Sequence, residues 1–175
     1  MFDFSREEII KRLLALDNDA YLLLEDINGK FDVYIVGGGA LILQNFIPRS
    51  THDIDTINVK NHLLLSLMNK YDINVNSNAY LDCFAADYQS RAKKLHLDTK
   101  VIDFYTLSLE DLVISKISAA REKDMEDICN RTVLDQLNWD LLEALAAKVV
   151  EGMMSDRQIS EFNHYYKQYV EEYRK

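Results

Sequence analysis

A run of aromatic and β-branched residues, Phe31 to Val36, passes without any polar linker into Gly37-Gly38-Gly39. The run is short and apolar, the pattern of a buried strand. Ala40 to Phe46 then takes on helical character until Pro48 closes it. A strand that turns directly into a helix implies a mixed α/β centre. Glycines at such a turn let the backbone approach a ligand, and the helix start presents N–H groups to a phosphate. A tight connection with no ligand would use the same glycines. The spacing is not GxGxxG, and no lysine stands where a Walker loop needs one.

Ile54 to Val59 reads as a second strand, and it carries the segment Asp53-Ile54-Asp55. Alternate residues on a strand face the same way, so the two carboxylates share a side and Ile54 takes the other. Carboxylates held that close repel unless a cation lies between them. Magnesium, with phosphate oxygens completing its shell, suits such a pair. A solvated strand edge would explain the spacing of the aspartates taken alone. Strand, glycine turn, helix and second strand together bring a phosphate-binding backbone and metal-binding carboxylates to one edge of a sheet.

The remaining elements surround this centre. Ser5-Arg6-Glu7-Glu8 has the capping-box pattern, and Ile9, Ile10, Leu13, Leu14 and Leu16 follow at helical spacing. A further apolar run, Tyr21 to Ile27, stops at the turn signal Asn28-Gly29. His62 to Tyr71 is amphipathic, and Asn76-Ser77-Asn78 reads as a turn. Lys94 to Asp98 and Lys100 to Thr106 read as strands. Ser108 opens a helix, and from Leu112 onward the pattern is helical, with Asn138 and Ser155 starting the last two helices. The expected class is α+β: a mixed sheet flanked by helices over residues 1–106, and an all-helical part over 107–175.

Hydrophobic residues make up 48% of the 175, enough for a core, which excludes a disordered chain. No apolar stretch approaches the length of a membrane span, and Cys83 and Cys129 fit no disulfide framework, so a cytoplasmic protein with no membrane partner is expected. A net charge of −9 disfavours general coating of nucleic acid, and DNA is not an expected partner. Arg91, Lys93 and Lys94 are the candidate basic patch for guiding an RNA, or else a solvated face.

Val36-Gly37-Gly38 followed by Asp53-Ile54-Asp55 resembles the signature of nucleotidyltransferases with the DNA-polymerase-β-like fold. VGGGALILQNFIPRSTHDID is similar to the small bacterial members related to abortive-infection and toxin–antitoxin systems, and SLEDLVISKISAAREKDMEDI, Ser108 to Ile128, is similar to a second block of theirs. The resemblance implies transfer of a nucleoside monophosphate from an NTP to an RNA (tRNA) or protein acceptor, with an antitoxin protein as a partner and phage defence as a setting. It implies one or two Mg²⁺ ions on Asp53 and Asp55, and contact of Gly37, Gly38, Arg49 and Thr51 with the nucleotide. Lys116 is implied as a phosphate contact and Asp124, with Asp127 behind it, as a further site acid. For a third carboxylate on a neighbouring strand, Asp103 and its rival Asp98 both remain open. The alternatives from other classes are a catalytically degenerate relative serving as a binding or antitoxin-like partner, and a nucleotide sensor that binds without transfer.

Overall fold

The computed structural model describes residues 4–23, 29–75 and 83–174. The chain divides into two compact units, Met1–Asn78 with Ala92–Leu107, and Ala79–Arg91 with Ser108–Lys175.

The first unit is built on a five-stranded mixed sheet in the order β3-β2-β1-β5-β4. Helix α1 (Arg6–Leu23) precedes β1 (Phe31–Val36), which runs straight into α2 (Gly37–Leu43). Then come β2 (Ile54–Ile57), α3 (His62–Lys70), β3 (Ile73–Val75), β4 (Lys93–Lys94) and β5 (Ile102–Thr106). β1 pairs antiparallel with β2 and parallel with β5; β2 and β3 are parallel, and β4 and β5 antiparallel. Val33, Ile35, Ile54, Ile73, Ile102 and Phe104 alternate onto one fully buried face. α2 packs on β1 and β2, α3 on β3, and α1 across α2 and α3. The other face carries Asp32, Tyr34, Asp55, Asn74, Asp103 and Tyr105, as the strand registers require. Tyr34 and Tyr105 stack on it with ring centroids 5.1 Å apart.

One charged residue holds this unit together from inside. Asp17 lies on the buried stripe of α1, 3% exposed. Its carboxylate accepts from the backbone N–H groups of Lys100, at 2.8 Å, Val101, at 3.0 Å, and Ile102, at 2.8 Å. Three donors at and just before the start of β5 are thereby satisfied, and α1 is pinned to that end of the strand.

The second unit is helical: a 3₁₀ turn (Tyr88–Arg91), α4 (Leu109–Ala119), α5 (Glu122–Ile128), α6 (Arg131–Gln136), α7 (Trp139–Gly152) and α8 (Asp156–Tyr173). Ser108 and Asn138 cap their helices as expected, accepting from the N–H of Asp111 and Leu141. Arg91 forks onto the buried Asp111 at 2.9 and 3.0 Å, tying the 3₁₀ turn to α4. The tyrosines of α8 serve packing: Tyr169 is buried, donates to the Ile128 carbonyl at 2.8 Å and leans on Trp139 and Tyr173.

Four sequence expectations need amendment. The glycines are not a separate turn but the first turn of α2 itself, with Val36 as its cap residue. The strand expected over Lys94 to Asp98 is confined to Lys93–Lys94, because the Leu97 N–H bonds back to the Leu95 carbonyl at 2.9 Å and the chain leaves the ladder there. The helical run after Leu112 is broken at Ala120, which adopts φ 49° and ends α4. Ile73–Val75, to which no element was assigned, is an edge strand. The expected turn at Asn76-Ser77-Asn78 and the end of the Tyr21 to Ile27 run lie outside the described residues. No helix among the described residues is long and apolar enough to cross a membrane.

Asp17→Ala would leave three buried donors unpaired and is expected to destabilise the protein by about 2–4 kcal/mol, read as a lower urea midpoint.

Candidate active site

The antiparallel register sets Val36 opposite Asp55, so the end of β1 and the start of β2 meet at one edge. Gly37 turns the chain there with φ +65°, a conformation that side chains disfavour. A Cβ on Gly37 would also lie 3.3 Å from Asp55 Oδ2. The carboxylate therefore rests directly on bare backbone. A Cβ on Gly38 would lie 3.0 Å from Arg49 Nη2 and 3.6 Å from Thr51 Oγ1. Gly37 thus packs against Asp55, and Gly38 against Arg49 and Thr51.

Two backbone features hold this edge. Thr51 is buried and exchanges both main-chain hydrogen bonds with Phe4, at 2.6 and 3.1 Å. On the far side of β2, Asp55 is level with Asn74 of β3. The Asn74 amide donates to Asp55 Oδ1 at 3.3 Å, and Thr56 Oγ1 donates to the Asn74 carbonyl at 2.8 Å. Asp55 is half-buried, while Asp53, just before the strand, is exposed and opens onto a polar cavity. Asn74 escaped the sequence reading, although an apolar–polar–apolar triplet, Ile73-Asn74-Val75, was its signal.

Asp103 is not brought to this edge. It pairs with Asp32, four residues before Val36 on β1, or about 13 Å along the strand. Lys94, at 2.5 Å, and Lys30, at 3.2 Å, bracket its carboxylate. Burial pushes the Asp103 carboxyl up, but the hydrogen bonds from these lysines outweigh it and hold the pKa below the usual carboxylate value. Asp98 is exposed in the connection leading to β5, at the same remote end. Among the described residues, no group of three or more His, Cys, Asp or Glu side chains converges as a metal cage would require. The two-carboxylate set still fits magnesium, which is commonly held by one or two carboxylates and completed by substrate phosphates.

Lys116 and Asp124 belong to the helical unit, where they form a closed ion cluster. Lys116 is 3% exposed and its ammonium donates to Asp124 Oδ1 at 2.6 Å and Asp127 Oδ2 at 2.8 Å. Arg121 Nε reaches the other oxygen of Asp124 at 2.5 Å. The left-handed Ala120 lets α5 fold back so that these charges meet. The cluster ties α4 to α5 through buried charge. The candidate basic patch is likewise engaged in part: Arg91 is bound to Asp87 and Asp111, and Lys94 to Asp103.

Three substitutions separate these roles. Gly37→Ala is expected to cost about 1–2 kcal/mol for its left-handed backbone and to displace Asp55. Gly38→Ala should cost less, since only the flexible tip of Arg49 must move; paired thermal melts read the difference. Lys116→Met leaves two buried carboxylates without their ammonium and is expected to cost about 3–5 kcal/mol in urea unfolding.

No curated protein and no solved structure matches the chain. The sequence profile of one family does match, over residues 11–174, from within α1 to the end of α8. With Gly37, Gly38, the Asp53-Ile54-Asp55 segment and nearly the whole chain inside that match, the protein belongs to the family described as nucleotidyltransferase of unknown function (DUF6036).

Proposed function

We propose that the chain moves a nucleoside monophosphate from an NTP to a hydroxyl on an RNA or protein acceptor, using magnesium held by Asp53 and Asp55. The observation that carries this reading is the packing of Gly37 and Gly38 against Asp55, Arg49 and Thr51. Glycine at these positions lets the backbone come close to phosphate oxygens beside a carboxylate, a guanidinium and a hydroxyl. The acceptor oxygen bonds to the α-phosphorus, the bond from that phosphorus to the β-phosphate oxygen breaks, and pyrophosphate leaves. The hydroxyl proton passes to solvent. Catalysis of this kind is mainly positioning and charge neutralisation. Bound magnesium supplies charge to the phosphates and lowers the pKa of the attacking hydroxyl. Arg49 and the Thr51 hydroxyl orient the phosphates, and Asn74 orients the Asp55 carboxylate through its amide. The likeness of Arg49 to Asp55 to abortive-infection and toxin–antitoxin enzymes supports a cytoplasmic defence role with a small antitoxin protein as partner.

Asn74 favours a second reading. The position level with Asp55 on β3 is a neutral amide rather than an acid, which suits a protein that binds Mg–NTP without turning it over.

The test incubates the protein with α-labelled NTPs, magnesium and either total tRNA or cell lysate. Label is expected in an acceptor and is expected to fall at least roughly 100-fold in Asp53→Ala and in Asp55→Ala, the scale on which losing a transition-state charge contact is felt. Magnesium-dependent NTP binding with no product in any arm would establish the second reading. An absence of NTP binding would sink both.

A further inference from the structure

A cavity of about 510 Å³ opens beside Asp53. That volume is in the range of small-molecule sites. The sheet order places it across the aspartate segment from the glycines: Gly37 meets Asp55 on the β1 side of β2, whereas Ile73 and Asn74 of β3 line the cavity. Its walls have a definite chemistry. The Arg12 guanidinium lies 4.1 Å over the Phe4 ring. It also donates to the Tyr71 carbonyl and to Asp72 Oδ2, both at 2.8 Å. This cation is already matched by a carboxylate, so the cavity is poorly suited to a polyphosphate. The walls offer instead a planar guanidinium set against an aromatic ring, and the side chains of Asn69 and Asn74 with that of Asp72. Flat stacking surface with amide and carboxylate edges is the combination that reads an unpaired nucleobase.

We propose that this cavity is a nucleobase-binding subsite of the transferase. The inference rests on the proposed function in taking a nucleotide as substrate. The base has two sources, the incoming NTP or the reacting end of an RNA acceptor, and both present the same chemistry to Asn69, Asp72 and Arg12. Binding of the base here holds its sugar and phosphate close to Asp53, the one lining residue that also belongs to the aspartate pair.

The first measurement needs neither magnesium nor turnover. Ligand-observed NMR titrations of the whole protein with adenosine, guanosine, cytidine and uridine are compared with ribose 5-phosphate and pyrophosphate. At least one nucleoside is expected to bind without magnesium. Asn69→Ala, on an exposed helical position, and Asp72→Asn, which keeps a residue tolerant of the left-handed backbone there (φ 56°), are each expected to weaken it at least about 10-fold, the scale of one lost base contact. Ribose 5-phosphate or pyrophosphate competing as well as the nucleosides, or nucleoside binding untouched in both variants, would overturn the subsite. In the labelling assay, a raised KM for NTP in Asn69→Ala assigns the base to the nucleotide, and a raised KM for RNA with that for NTP unchanged assigns it to the acceptor. If a nucleoside binds while no labelled acceptor forms, the subsite stands and the transfer reading fails.

Discussion

The candidate site depends on one packing contact, the seating of the Asp55 carboxylate on Gly37. The antiparallel register sets Val36 opposite Asp55, and the positive φ of Gly37 swings the chain at once into α2. Any Cβ at that position would be both strained and within 3.3 Å of the carboxylate. The same turn sends α2 across β1 and β2, where its buried Leu41, Ile42 and Leu43 contribute to the core. A fully buried leucine or isoleucine contributes about 1.5–3 kcal/mol. The helix is only seven residues long and has no side-chain cap, so tertiary burial, not local propensity, keeps it formed. Site and core are therefore set by a single residue with no side chain.

Around that contact, buried charge is used sparingly and each time to join two elements. Asp17 joins α1 to β5 through three backbone donors, Arg91 joins the 3₁₀ turn to Asp111, and Lys116 joins α4 to α5. In each case the charge is met by at least two hydrogen bonds, the condition under which burial does not leave a net penalty. A chain with net charge −9 has many acids to place. Those buried here are matched internally, whereas Asp53 faces an open cavity. That contrast sets Asp53 apart from the buried acids.

What the sequence made legible was local. β1 shows itself through β-branched and aromatic residues, the turn through glycine, and the caps of α4 and α7 through Ser108 and Asn138, because each signal acts within a few residues. What depended on register was not legible. Asp103 has the apolar–acid–apolar look of a site acid and even shares the sheet face of Asp55, yet the parallel pairing with β1 sets it level with Asp32, toward the far end. Nothing in residues 102–104 encodes that offset. Asn74 was hidden for the same reason, since only the pairing of β2 with β3 brings it beside Asp55. Asp17 drew no notice in the sequence and Lys116 was expected to contact a phosphate; their partners are backbone donors more than 80 residues away in one case and the acids of a separate helix in the other.

The neutral amide beside Asp55 bears on how the proposed reaction would be assembled. Three acids at one edge would hold a divalent ion strongly before any nucleotide arrived, but would repel one another without it. Two acids, one of them hydrogen-bonded to Asn74, repel less and leave more of the coordination shell to the substrate. Under the proposed function the ion would then take more of its ligands from the triphosphate, so that metal and nucleotide would be taken up together. On this arrangement the protein supplies geometry more than charge. Gly37 and Asn74 grip opposite sides of one carboxylate, and the orientation of that carboxylate is what the fold contributes to the chemistry.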